Sequence, residues 1–165
     1  MSEYKSSMMK KALPLLCSLI LLCACSDETD PGLGFSDYIV FGTFYGECSG
    51  DCITLFRLSE TRLERDTRNR FPDEDFQFIS GQVLGTDDFI QARAILKTIP
   101  SELVNNPQDR YGCPDCRDQG GLYLNYRING QTTALTIDPD DTDDQSEAII
   151  RFKDELLDLV WELRN

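Results

Sequence analysis

The sequence contains no histidine, and that absence does more than any motif to narrow its chemistry. It rules out Ser-His-Asp and Cys-His catalysis in their usual forms and takes away the commonest metal ligand. There is no Gly-x-Ser-x-Gly elbow, no Walker loop and no dinucleotide fingerprint. Cations are also scarce: 16 Lys and Arg stand against 29 Asp and Glu, a formal net charge of −13. Such a surface repels phosphate backbones and anionic headgroups, which argues against nucleic-acid partners. With so many carboxylates any two look paired, so a glycosidase-like carboxylate pair carries no weight. The expectation is a non-enzymatic protein with no cofactor, soluble through its charge or complementary to a cationic protein partner.

Long apolar runs are missing too. The longest, Ala12 to Leu22, is broken by Pro14, Cys17 and Ser18. It is about half of the ~20 residues a membrane-spanning helix needs. Met8-Met9-Lys10-Lys11 precedes it as a basic segment, and the whole has the layout of a secretory signal peptide. A start at Met8 or Met9 gives a more usual signal than one at Met1.

The run ends in Leu22-Cys23-Ala24-Cys25. This resembles the lipobox of bacterial lipoproteins: Leu, a small residue, Ala, Gly or Ser, then Cys. The resemblance covers about the first 25 residues. It implies diacylglycerol in thioether linkage on Cys25, cleavage before it, and a palmitate-type acyl chain on the new amino terminus. Cys23 departs from the commoner Ala, Ser or Thr but is small; moving the site to Cys23 would set Leu22 where a small residue belongs. Ser26 stands where an inner-membrane retention signal would place Asp, so the resemblance implies the outer membrane. Asp27-Glu28-Thr29-Asp30 looks like the acidic surface-export tag of some lipoproteins and equally suits a solvated tether. Two or three acyl chains exceed the single-chain threshold of marginal binding, so the implied anchorage is stable. The expected organisation is a signal peptide over 1–24, an acidic tether over 25–36 and one domain over 37–165. Three positive charges and one negative leave with residues 1–24, taking the net charge from −13 to −15.

Cysteine arithmetic follows from that division. Cys17 and Cys23 leave with the signal segment and Cys25 takes the lipid. Four remain, Cys48, Cys52, Cys113 and Cys116, an even number that reads as two disulfides in an oxidising compartment. Local pairing closes tiny loops worth about 2 kcal/mol each, whereas a long-range bridge is worth about 4 kcal/mol in chain entropy. Proximity and fast oxidation favour the local pairs; the entropy estimate leans the expectation toward long-range pairing. Two other readings compete. The spacings Cys48-x3-Cys52 and Cys113-x2-Cys116 fit a four-thiolate zinc site, against which stands the oxidising compartment. Thiol–disulfide chemistry at Cys113-Pro114-Asp115-Cys116 lacks the helix start that would activate the first thiol.

The body of the chain predicts an α+β fold, an antiparallel sheet packed by two amphipathic helices in the order β-β-β-β-α-β-β-α. Strands are expected over Tyr38–Tyr45, Ile53–Leu58, Thr61–Asp66 and Asp75–Ser80. Gly42 and Gly46 hint at a bulge or a close approach, and the charges of the third strand suit a sheet edge. Thr86 caps a helix to about Thr98, with Phe89, Ala92, Ile95, Leu96 and Ile99 on one stripe. Ser101 to Val104 suits a further turn. Asn129-Gly130 marks a hairpin that sets Leu122 opposite Ile137, Leu124 opposite Leu135 and Tyr126 opposite Thr133. The acidic run Asp138 to Asp144 invites a calcium reading. An EF-hand begun at Asp138 would need Gly in place of Asp143 and Glu in place of Ile149. Asp144 as N-cap, with Glu147 closing a capping box, explains the run as the start of a helix to Leu163. Its apolar stripe is Ile149, Phe152, Leu156, Leu159, Val160 and Leu163, with Trp161 at the margin.

The segments Phe41 to Cys48 and Gly112 to Gly121 are similar to motifs in small bacterial lipoproteins of unassigned function. That resemblance implies a shared fold with the two cysteine segments near one another, and it brings no catalytic residues.

Overall fold

The computed structural model describes residues 38–71, 78–128 and 130–165. The expected signal segment, Cys25, the expected acidic tether and Asn129 lie outside them, as do residues 75–77 of the expected strand Asp75–Ser80; of the rest of that strand Phe78 and Ile79 are not in a strand, and pairing begins only at Ser80.

The strands assemble into one seven-stranded sheet. Its strands in chain order are β1 (Tyr38–Phe44), β2 (Ile53–Leu58), β3 (Leu63–Asp66), β4 (Ser80–Val83), β5 (Arg110–Tyr111), β6 (Gly121–Ile128) and β7 (Gln131–Ile137). Three helices join them: α1 (Thr86–Leu96), α2 (Ser101–Asn105) and α3 (Glu147–Arg164). The sheet order is β4-β3-β2-β1-β6-β7-β5, so the first strand sits in the middle. The fold is therefore α+β as expected, but the sheet is mixed: β5 runs parallel to β7. β5 and α2 are additions to the expected order.

The hairpin forms in the expected register, Leu122 on Ile137, Leu124 on Leu135 and Tyr126 on Thr133. Its closing pair is Ile128 with Gln131, and Gly130 takes the left-handed φ of +80° that the two-residue turn demands. One face of the sheet, through Ile39, Phe41, Phe56, Leu58, Leu122, Leu124 and Ile137, packs under α1 and α3. The expected stripes supply the other side: Ala92 and Leu96 from α1, and Ile149, Phe152, Leu156, Leu159, Val160 and Leu163 from α3, are all buried. Tyr126 reaches through this core to donate its hydroxyl to the Leu103 carbonyl, which fastens α2 beneath the hairpin.

Several expectations need correction. β3 is not an edge: β4 pairs with its outer side. The charge on β3 is spent inward, where Glu64, buried on the face away from the helices, accepts from Arg57 at 2.8 Å and lies 3.3 Å from Arg62. The ring of Phe78 stacks on the Arg57 guanidinium, 4.6 Å from its carbon. That face also carries its own apolar cluster of Val40, Phe44, Leu55 and Tyr123, so the sheet is packed on both sides of its centre. Helix α1 is capped one residue early: Gly85 is the N-cap, and Asp88 reaches back to its N–H at 3.1 Å. At α3 the N-cap is Ser146, accepting from the Ile149 N–H at 3.3 Å. The Asp144 capping box does not form, because the Asp144 carboxylate is turned toward Gly112.

Candidate functional site

The C-terminal ends of β1, β5 and β7 and the N-terminal ends of β2 and β6 meet at one end of the sheet, and every cysteine of the described residues is there. The disulfides are Cys48–Cys52 and Cys113–Cys116. Local pairing wins over the long-range bridge that chain entropy favoured. Each pair is already brought together by the backbone: Tyr45 N–H donates to the Cys52 carbonyl at 3.0 Å and closes the first loop, and Cys116 N–H donates to the Cys113 carbonyl at 3.2 Å. Entropy ranks possible bridges, but local backbone geometry decides which sulfurs meet. With the sulfurs paired within each loop, the zinc arrangement has no free thiolates, and no group of three His, Cys, Asp or Glu side chains suited to a metal occurs among the described residues.

Carboxylates, not sulfurs, join the loops. Asp115 accepts from the Gly46 N–H at 2.7 Å with one oxygen and from the Gly120 N–H at 3.0 Å with the other. It thereby ties the first cysteine loop to the second and to the start of β6. A side chain on Gly46 would overlap that carboxylate, which is the close approach its position hinted at. Asn69 pins the far side of the same loop, accepting from the Ile53 N–H at 2.9 Å and donating to the Gly50 carbonyl at 2.6 Å.

Asp138 organises the second loop. Only 2% exposed, it accepts from the Cys113 N–H at 2.9 Å, the Asp140 N–H at 3.0 Å and the Gln119 side chain at 3.2 Å. Asp144 accepts from the Gly112 N–H at 2.8 Å and the Thr142 hydroxyl at 2.5 Å. The acidic run thus directs its buried and capping oxygens onto backbone N–H groups, a use that neither the calcium reading nor the capping box foresaw.

Beneath the run lies a residue that pattern reading passed over. Lys153 of α3 is completely buried. Its ammonium donates to Asp141 at 2.6 Å and to the Gln145 side-chain oxygen at 3.2 Å. Gln145 in turn donates to the carbonyls of Asp138 at 3.0 Å and Asp140 at 3.1 Å. A polar chain runs from the helix through the acidic loop to the cysteine loop. The signal was available: Lys153 is four residues after Ile149 and three before Leu156, inside the apolar stripe.

These bonds shift two carboxyls. Burial raises the Asp138 pKa, but the N–H donors of Asp140 and Cys113, the Gln119 amide and the Arg117 charge outweigh it, and the net direction is down. Asp144 is lowered chiefly by the Gly112 N–H and the Thr142 hydroxyl. A carboxyl whose folded pKa is depressed adds stability above its unfolded value of about 3.9 and loses it as pH falls through the folded value. The urea midpoint of the protein is therefore expected to drop below about pH 4. Asp138→Asn should lower the midpoint at pH 7 and flatten that acid slope. Urea titrations at pH 7, 4 and 2.5 check it; equal slopes in parent and variant would remove Asp138 from the explanation.

The exposed rim of this end is acidic. Glu47, Asp51, Asp118, Asp140, Asp141 and Asp143 face solvent there, beside Arg117, which is itself held by Asp140 at 2.9 Å. Comparison with family models and with curated proteins finds no match.

Proposed function

We propose that the chain is a bacterial lipoprotein whose domain is held at the outer membrane by lipid on Cys25 and works there as a non-enzymatic binding or scaffold module. The observation that carries the reading is the cysteine count joined to the pairing. Cys48 with Cys52 and Cys113 with Cys116 leave Cys25, next after the lipobox-like Leu22-Cys23-Ala24, as the unpaired cysteine of the exported chain. Two disulfides in so short a domain also favour an oxidising compartment. Replacing Cys25 with Ser is expected to abolish labelling by radioactive palmitate and to move the protein from the membrane to the soluble fraction. Label retained in that variant, or no label on the parent, would sink the proposal.

The acidic rim favours one kind of partner within this reading, a cationic protein, and the module then acts as an inhibitor-like cover for a basic envelope or host enzyme. Association with a lysozyme-type enzyme should weaken steeply between low and physiological salt. Absent or salt-independent binding leaves the scaffold role.

A further inference from the structure

Each disulfide closes only a short turn, and neither contributes to the core beneath the helices. Cys113 and Cys116 are both exposed. The segment around them is unusual: Gly112, Asp115, Asp118 and Gly120 have φ of +71°, +60°, +59° and +77°. Asp115 and Asp118 thus hold a backbone region that side chains other than Asn and Asp seldom enter. At the centre of this turn Asp115 makes the one carboxylate bridge to the Gly46 N–H and the Gly120 N–H. We propose that Cys113–Cys116 is a redox-sensitive clasp: oxidised, it holds Asp115 across to the Cys48–Cys52 loop, and reduced by a dithiol it releases that loop while the sheet and helices stay folded.

The chemistry is ordinary thiol–disulfide exchange. A thiolate of the dithiol attacks one exposed sulfur, breaking the Cys113–Cys116 bond and forming a mixed disulfide. The second thiolate of the dithiol displaces the protein sulfur. Two electrons and two protons pass to the protein, which ends with two thiols, and the dithiol ends as a disulfide. Access allows the first step, because both cysteines are exposed residues. The consequence is local, because the elements that remain, β1 paired with β2 and β6 under α1 and α3, contain no cysteine. The released Asp115 no longer has its backbone held by the ring, and the rim of the molecule changes shape without global unfolding. The clasp does not depend on where the protein is anchored.

The test is amide NMR on the full chain in detergent micelles, before and after dithiothreitol, with thiols counted by intact mass. On reduction the Gly46 and Gly120 amides are expected to shift and to exchange with solvent at least tenfold faster. The amides of Phe41 and Leu124, paired across β1 and β6, should stay as they were. Asp115→Ala should reproduce the Gly46 change in the oxidised protein, and the Cys48→Ser/Cys52→Ser double variant should still show it on reduction. The clasp is overturned if no thiols appear at Cys113 and Cys116, if Gly46 is unchanged in the reduced protein, or if Phe41 and Leu124 lose protection together with it.

Discussion

Gly42→Ala is expected to destabilise the protein by about 3 kcal/mol, the upper end of what overpacking costs. The added methyl group would overlap the carbonyl oxygen of Thr54 on the neighbouring strand. Neither backbone can retreat, since Gly42 lies in the central strand with Leu55 across on one side and Tyr123 on the other. Pairing through this position is continuous, so the glycine marks a close approach and not a bulge. Gly130 supplies the contrast. A side chain there meets nothing within 4 Å, and only its positive φ opposes substitution, so Gly130→Ala should cost about 1 kcal/mol. Urea unfolding of the two variants side by side checks the difference; similar midpoints would mean that β1 and β2 shift apart more readily than their register implies.

Lys153→Ala should cost a similar amount, about 3 kcal/mol, by removing a buried four-carbon stem and leaving the Gln145 oxygen without its donor. Lys153→Met separates the two causes. It keeps most of the packing and loses the ammonium, and its cost should be about 1–2 kcal/mol. The usual heavy penalty for breaking a buried ion pair does not apply, because the partner Asp141 is 66% exposed and stays solvated. Both variants should also loosen the Cys113 amide, since Gln145 holds the Asp138 and Asp140 carbonyls in place. Hydrogen exchange at Cys113 reports on this. A Met variant as stable as the parent, with Cys113 still protected, would show that the ammonium organises nothing.

Local periodicity made much of the fold legible. The hairpin around Gly130 carried both a turn signal and a period-two pattern, and only one register satisfies both. The stripe of α3 was equally plain, since its six apolar positions all reach the core. What stayed hidden depended on non-local pairing. Ser80-Gly81-Gln82-Val83 has almost no apolar pattern and becomes a strand because β3 offers it an edge. Arg110-Tyr111 is too short to read as a strand and is fixed by β7 alone. The candidate site was half visible for the same reason. Its cysteines could be counted, but their pairing came from turn geometry. The run holding Asp138 and Asp144 read as a helix start and Asp115 as one residue of a cysteine motif, because the N–H groups that bind these carboxylates across the loops lie 5 to 69 residues away in the chain. Lys153 was masked by its own charge, which argues for a surface position until the acidic loop above it is known.

The lipid on Cys25 is the claim on which the proposed role stands. Mass spectrometry of the amino-terminal peptide from the membrane-extracted protein tests it most directly. The expected peptide begins at Cys25 and carries diacylglycerol on sulfur together with an acyl chain on the amino group. A peptide that retains residues before Cys25, or one that begins there with an unmodified thiol, would contradict it.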